Sequence, residues 1–353
     1  MNLRDTGLIE DIKISKSTES LSDYVKNTKN RFIDRLESFE DIMNLEVGDT
    51  TLMRSRTLER EKDIRQLYLK IEGDNPTGTQ KDRIGFAQVY DALRREFDTI
   101  TLATCGNYGA SMALASYLAG IKCKIYIPKN YHTERISEME KYGVEIIRFG
   151  ETYEDAVVES SKVALEKGWY DSNPGGENTS LQITAYSEIA YEIYDSLRDA
   201  PKYCAIPVSN GTLLAGVFRG FYNLYKRGKT SRIPKMIAGS SVSKNPIVYS
   251  FNQKLEKCID LNPKQIKETK INEPLINWHS FDGEEALYAL NESDGSAYNV
   301  TDKKMKEMSS YLLKRESIRV LPASTAGLIG LLEKHALETI ENDRFVAILT
   351  AKI

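Results

Sequence analysis

The sequence is poor in histidine and cysteine. Its 353 residues include three histidines and four cysteines, which are His132, His279, His335, Cys105, Cys123, Cys204 and Cys258. No cysteine belongs to a CxxC pair, and no Cys/His spacing fits a zinc site. We therefore predict no bound metal, and thiols that are reduced and mostly buried.

Long apolar runs and basic blocks are also missing. No stretch of about 18 apolar residues could cross a membrane, and residues 1–5 lack the apolar core of a signal peptide. The 48 basic and 51 acidic residues give a formal net charge of -3, with no block that could grip nucleic-acid phosphates. We expect a cytoplasmic globular protein with no nucleic-acid or membrane partner.

Short apolar segments alternate with helical patterns from about residue 65 onward. We predict strands at 67–71, 99–103, 123–128, 144–149, 203–208 and 235–239, and extended segments at 319–321 and 345–350. Helices are predicted at 85–97, 109–119, 133–142, 152–167, 213–226 and 325–335. Residues 1–44 have helical spacing, whereas 251–304 are polar and irregular. Repeated βα units predict an α/β fold with parallel sheets covered by helices on both faces. Ligands of such folds bind where strand ends meet helix starts.

The first such loop, residues 72–83, contains Lys81 at a predicted helix start. A helix N-terminus disfavours a second positive charge, so an amine there has a lowered pKa and becomes nucleophilic. A Schiff base to a cofactor aldehyde would use such an amine, although a solvated surface lysine is the ordinary alternative. Gly73 and Gly78 have the GxxxxG spacing of a P-loop, but the lysine comes two positions late and no hydroxyl follows it.

Two further loops have the same strand-loop-helix form. In residues 104–111, backbone N–H groups at the helix start could receive a substrate carboxylate. In residues 207–216, Gly211 would let the backbone approach a phosphate, and the hydroxyls of Ser209 and Thr212 could donate to it. Each loop alone is also compatible with a plain βα turn. Three such loops in one chain, one of them with a lysine, favour a shared ligand.

At these residues the sequence resembles the fold-type II family of pyridoxal-phosphate (PLP) dependent enzymes, the tryptophan synthase β-like fold, and within it the threonine synthases most. The similar segments are LYLKIEGDNPTGTQKDR (67–83), TCGNYGAS (104–111), PVSNGTLLAG (207–216) and SIRVLPASTAGLIGLL (317–332). The resemblance covers about residues 47–350. It implies two lobes, each with a mostly parallel sheet flanked by helices.

The resemblance also implies a division into domains and the ligands that they bind. Residues 1–44 would form a helical extension, 45–84 plus 196–353 a large cofactor-binding domain, and 85–195 a small mobile substrate domain. The ligands would be PLP and a small amino-acid substrate. Because two-fold dimers are the commonest oligomers of soluble proteins, we expect a homodimer.

Residue roles follow from the same resemblance. Lys81 would form the Schiff base and later move the Cα proton. Asn107 would hydrogen-bond the cofactor's phenolic oxygen, and Thr350 would face its pyridine nitrogen. The cofactor phosphate would bind Ser209, Asn210, Gly211, Thr212 and Leu213, and the substrate would bind Thr79, Thr104, Cys105, Gly106 and Tyr108. A hydroxyl opposite the nitrogen favours elimination or replacement over transamination.

One segment departs from the threonine synthase pattern. Those enzymes usually carry a substrate-binding arginine where this chain has residues 171–178, DSNPGGEN, without a cation. Lys70 or Arg83 could compensate. Three hypotheses remain: conversion of O-phosphohomoserine to threonine and phosphate; β-elimination or β-replacement on serine, threonine or an activated serine, as in a dehydratase or cysteine synthase; and a non-catalytic binding subunit.

Overall fold

The structure is a computed structural model that describes residues 18–27, 32–104, 106–131, 135–340 and 342–352. These residues form two compact units. The first unit comprises the described residues up to Gly48 together with Asn75–Gln182, and the second comprises Asp49–Asp74 and the residues from Ile183 onward. Residues 75–84, with Lys81, thus group with the first unit. The functional division at 44, 84 and 195 stays a prediction.

Helices and strands alternate along most of the described chain. The helices are α1 Thr18–Asn27, α2 Phe32–Glu46, α3 Arg56–Lys62, α4 Lys81–Arg94, α5 Asn107–Ala119, α6 Ile136–Lys141, α7 Tyr153–Lys167, α8 Thr179–Leu197, α9 Thr212–Lys226, α10 Pro246–Asn252, α11 Gly283–Glu292, α12 Asp302–Glu316 and α13 Ala326–Glu338. The strands are β1 Leu52–Arg54, β2 Leu67–Ile71, β3 Thr99–Ala103, β4 Lys122–Ile127, β5 Glu145–Arg148, β6 Tyr170–Asp171, β7 Tyr203–Pro207, β8 Lys235–Ser241, β9 Ser296–Val300 and β10 Phe345–Leu349. Short 3-10 helices lie at Glu72–Asp74, Pro263–Gln265, Glu273–Leu275 and Pro322–Thr325.

The first unit contains a four-stranded parallel sheet in the order β5-β4-β3-β6. Every residue of β3 is buried, because helices α5 and α7 pack against it. Helices α4 and α5 pack closely, and Gly85 lies directly against the Ser111 side chain. Since the strands are parallel, their carboxyl ends meet at one edge of the sheet, where the loops after β3, β4 and β6 begin.

The second unit contains a six-stranded sheet in the order β1-β2-β10-β7-β8-β9. Only the edge strand β1 is antiparallel to its neighbour, with Met53 opposite Leu69. Strands β2, β10 and β7 contribute Leu67, Phe345 and Ala205 to a continuous apolar core. Helix α13 packs on this sheet, and Gly327 lies against the backbone of Ile206.

The predicted α/β class, with mostly parallel sheets flanked by helices, is confirmed. Residues 319–321, predicted to be extended, form neither helix nor strand; Leu321 has a φ of -58° and a ψ of 139°, and its amide donates to the Ala351 carbonyl at 3.0 Å. The prediction of irregular structure over 251–304 is wrong in part, because α11 and β9 lie there. Helices α1 and α2 support the predicted helical prefix, of which residues 1–17 and 28–31 lie outside the described residues. None of the described helices is both long and apolar enough to cross a membrane.

Candidate cofactor and substrate site

Lys81 is the first residue of α4 and follows a tight turn. Gly78, with a positive φ of 79°, donates its amide to the Asn75 carbonyl at 2.8 Å. Thr79 is fully buried, and its hydroxyl accepts from the Lys81 amide at 3.3 Å. The Lys81 Nζ lies 5.4 Å from the centroid of the Tyr108 ring. The first unit therefore brings three of the predicted site residues together: Thr79, Lys81 and Tyr108.

Asp82, next to Lys81, stabilises the turn that precedes the lysine. Its carboxylate accepts from the amide and the hydroxyl of Thr77, both at 2.7 Å. The side chain is completely buried, and this desolvation raises the pKa of Asp82 to about 6, against the opposing effect of the Thr77 hydrogen bonds. Sequence reasoning missed Asp82; an acid in the first helical turn is the signal that could have indicated it.

The asparagine loop joins β3 to α5. The Thr104 hydroxyl accepts from the amides of Gly106 and Gly109 at 3.3 and 3.2 Å, which shapes the loop. The Tyr108 hydroxyl donates to the Ser172 carbonyl at 2.9 Å. Asn107 is the first residue of α5, and Gly106 is the N-cap of that helix. Cys105 lies outside the described residues.

A cation that sequence reasoning missed lies beside the lysine turn. Arg135 follows the carboxyl end of β4, and its Nη2 donates to the Thr77 carbonyl at 3.1 Å. Its Nη1 lies 3.2 Å from a Glu138 carboxylate oxygen. The signal that could have indicated it is its position, since residues after the carboxyl end of a parallel strand commonly contact ligands.

Lys70, one of the two cations suggested as a substitute for the missing arginine, is already engaged. It is 1% exposed, and its Nζ lies 2.5 Å from both a Glu192 carboxylate oxygen and the Thr50 carbonyl. The suggestion that it receives a substrate phosphate is therefore wrong. Arg83, the second suggested cation, is buried within α4.

The predicted phosphate loop of the second unit joins β7 to α9. Gly211 is the N-cap of α9 and has a φ of 101°, and no side chain caps the helix. Among the described residues, no acceptor is found for the amides of Gly211, Thr212 and Leu213. A 15-residue helix with such amides at its N-terminus attracts an anion. The Thr212 hydroxyl, which we expected to donate to a phosphate, instead donates to the Asp282 carboxylate.

Thr350 follows the end of β10 and is 8% exposed. Its hydroxyl lies 2.9 Å from the Ser324 hydroxyl, which also accepts from the Ala351 amide at 3.0 Å. Ser324 belongs to the 3-10 helix at Pro322–Thr325. Sequence reasoning noted that segment without singling out this serine. The pair offers a pyridine nitrogen a neutral hydroxyl rather than a carboxylate.

Each unit contains groups that suit part of PLP. The first unit has the Lys81 amine next to the Tyr108 ring, and an asparagine, Asn107, at the start of α5. The second has a helix N-terminus whose N-cap must be glycine, because a Cβ on Gly211 would lie 2.6 Å from the Asp282 carbonyl oxygen. The residues present therefore fit the cofactor. Within the described residues, no group of three or more histidine, cysteine and acidic side chains could hold a metal ion.

Comparison with known proteins agrees with this fit. Residues 43–351 match a family described as pyridoxal-phosphate dependent enzyme. The threonine synthase of Methanocaldococcus jannaschii is 30% identical over 313 residues, which cover 88% of this chain and 75% of that protein. The threonine synthase of Mycobacterium leprae is 28% identical over 292 residues, covering 81% and 76%.

Solved structures share the fold at lower identity. A threonine deaminase from Solanum lycopersicum superposes with a TM-score of 0.71 at 17% identity, over 91% of this chain and 90% of that one. A pyridoxal 5'-phosphate-dependent aspartate racemase gives 0.73 at 19%, over 90% and 94%. At such identities the likeness shows the fold alone. The family match, which spans nearly the whole chain, shows that this protein belongs to the pyridoxal-phosphate dependent enzymes and that its cofactor is PLP.

Proposed function

We propose that this enzyme is a threonine synthase-like lyase that converts O-phosphohomoserine and water to threonine and inorganic phosphate. The observation that carries the proposal is the similarity to proteins named threonine synthase, 30% identical in the case of M. jannaschii. Arg135 supports it, because a guanidinium close to the lysine turn can supply the cation that residues 171–178 lack.

In this proposal each unit performs a distinct task. Lys81 would hold the cofactor through its aldehyde, and its amine would carry the proton removed from the substrate Cα. Asn107 would hydrogen-bond the phenolic oxygen, the Ser209–Leu213 loop would hold the phosphate, and Thr350 would lie opposite the pyridine nitrogen. When bound, PLP withdraws electrons from the substrate Cα and so acidifies its proton.

The substrate is held by its two anionic ends. Its carboxylate would meet the start of α5, where Thr104, Gly106 and Tyr108 lie, and Thr79 would contact it from the lysine turn. Its phosphate would meet Arg135, which orients the leaving group at Cγ. Water then adds at Cβ. The substrate-binding roles of these residues, including Cys105, remain part of the proposal.

The role of Lys81 is tested by trapping. Borohydride treatment of the coloured holoenzyme should add the mass of reduced PLP to the peptide that contains Lys81. The Lys81→Ala variant should lose turnover by several orders of magnitude, as expected on removal of a covalent catalyst. Lys122→Ala, a change at an exposed lysine of the same unit, is the control. Label on another lysine, or near-normal turnover of Lys81→Ala, would remove Lys81 from its role.

The substrate is tested through Arg135. Loss of a charge-assisted pair costs about 1.5–3 kcal/mol, so Arg135→Ala should lower kcat/KM for O-phosphohomoserine by roughly 10- to 150-fold. Arg135→Lys keeps the positive charge and should recover part of the lost kcat/KM. The same variants should act normally on a substrate without phosphate. Equal losses on both kinds of substrate would show that Arg135 supports the lysine turn rather than the substrate phosphate.

The alternative is β-elimination or β-replacement on serine, threonine or an activated serine. The lack of a cation in residues 171–178 favours it, because such substrates need no second anion site. Keto-acid release from serine or threonine, without phosphate release from O-phosphohomoserine, would establish this alternative. A holoenzyme that releases neither phosphate nor keto acid from any of these substrates would instead act as a non-catalytic binding subunit. We further propose a homodimer, which light scattering of the holoenzyme can check.

A further inference from the structure

We propose that Asn245 is a positioning residue for the cofactor phosphate, because it fixes the loop carbonyls behind the amides that bind that phosphate. The inference rests on the proposed role of the Ser209–Leu213 loop. Asn245 lies far from that loop in sequence, just after β8, and sequence reasoning attached no role to it. It touches neither substrate nor cofactor in this proposal.

The helix that follows Asn245 fixes its orientation. Asn245 is the N-cap of α10, and its Oδ1 accepts from the amides of Ile247 and Val248, both at 3.1 Å. The residue is 1% exposed. Because Oδ1 is committed to the helix, the side-chain Nδ2 must point to the opposite side.

That nitrogen lies between two carbonyl oxygens of the phosphate loop and two oxygens from Leu275 and Asn277, the Leu275 carbonyl oxygen being 3.3 Å away. Nδ2 is 2.9 Å from the Ser209 carbonyl oxygen, 3.1 Å from Asn277 Oδ1 and 3.4 Å from the Val208 carbonyl oxygen. The Ser240 hydroxyl donates to the same Val208 carbonyl at 2.7 Å. Both loop carbonyls are therefore held from one side by buried donors.

Asn277 continues this network along the loop. Its Nδ2 donates to the Asn210 Oδ1 at 3.1 Å and to the Ser280 hydroxyl at 2.8 Å. The Asp282 amide donates to the Asn210 carbonyl at 3.2 Å. Three successive carbonyls, those of residues 208, 209 and 210, thus have protein donors.

The geometry of the peptide bond links this network to phosphate binding, because it fixes the direction of the loop amides. In a trans peptide the C=O and the next N–H point in opposite directions. Donors on the carbonyls of Ser209 and Asn210 therefore aim the amides of Asn210 and Gly211 away from the network. Without Nδ2 the Ser209 carbonyl would lose its close donor, and the loop, which contains the flexible Gly211, would rotate to replace it.

Asn245→Asp is the sharpest test. The carboxylate keeps an oxygen for the α10 cap but replaces the donor with an acceptor against the loop carbonyls. Asn262→Asp is the matched control, since Asn262 is an exposed N-cap whose Oδ1 accepts from the Lys264 amide at 3.1 Å. The full-length chain, stripped of cofactor, would be titrated with PLP and with pyridoxal, which has the aldehyde but no phosphate.

We expect Asn245→Asp to weaken PLP binding roughly 10- to 100-fold while pyridoxal binding changes less than about twofold. Asn262→Asp should change neither. Unchanged PLP binding, or equal losses for both probes, would overturn the positioning role. If the unmodified chain binds PLP no better than pyridoxal, the phosphate-loop assignment itself fails. Should Asn245→Asp not fold, Ser240→Ala removes one donor from the Val208 carbonyl and should shift the same ratio several-fold.

Discussion

Replacement of Gly211 by alanine tests the cofactor loop most directly. A positive φ costs a residue with a Cβ about 1–2 kcal/mol. At Gly211, where φ is 101°, the new Cβ would also lie 2.6 Å from the Asp282 carbonyl oxygen and 2.8 Å from the Ala286 Cβ. Overpacking of this kind adds about 1–3 kcal/mol. The total penalty is therefore about 2–5 kcal/mol.

Gly228→Ala separates the two contributions. Gly228 ends the turn after α9 with a φ of 65°, and nothing lies within 4 Å of an added Cβ. This control keeps the φ penalty and removes the clash. We expect Gly211→Ala to lower the thermal midpoint of the PLP-saturated enzyme at least twice as much as Gly228→Ala, because this midpoint includes both loop strain and lost cofactor binding. Equal shifts would refute the packing argument.

Two further perturbations address buried charges. Because the folded-state pKa of Asp82 is about 6 and its ordinary value is 3.8, the folded protein keeps a proton that the unfolded chain loses between about pH 4 and 6. The free energy of unfolding therefore falls by about 3 kcal/mol as pH rises through that range, and Asp82→Asn should abolish this fall. Thermal unfolding at pH 4 to 7 measures the fall. If stability changed with pH in the same way in both proteins, the predicted role of Asp82 would be contradicted. Glu192→Gln leaves the Lys70 ammonium without its counter-charge and should cost about 3–5 kcal/mol in urea unfolding. The double variant with Lys70→Met should be more stable than Glu192→Gln alone, and a less stable double variant would show that the pair is not coupled as described.

Local patterns predicted much of the fold, and long-range contacts account for most of what they missed. The apolar segments that form β2, β3 and β7 are evident in the sequence, as is the loop that ends at Lys81. Helix α11 was missed because its apolar run, residues 286–290, is short and lies in an otherwise polar segment. Residues 319–321 look extended in sequence because Val320 and Leu321 are apolar and precede a proline. They form no strand, although the Leu321 amide donates to the Ala351 carbonyl at 3.0 Å.

The candidate site shows the same division. Lys81 and the Gly211 loop have signatures in a few consecutive residues. The residues that position the site have no such local signature. Asn245 donates to the Ser209 carbonyl from 36 positions away, and Ser324 accepts from Thr350 from 26 positions away. Which polar residue serves a loop depends on how the strands are ordered in the sheet, and no local spacing contains that order.

The position of β10 has a consequence for biosynthesis. This strand is the last of the sheet to leave the ribosome, yet it pairs with β2 on one side and with β7 on the other, in the middle of the six-stranded sheet. Until it arrives, β1 and β2 have no link to the β7-β8-β9 layer, and the edges of both fragments stay unpaired. The nascent second unit therefore has exposed strand edges for most of translation, and its completion depends on the final few residues of the sheet.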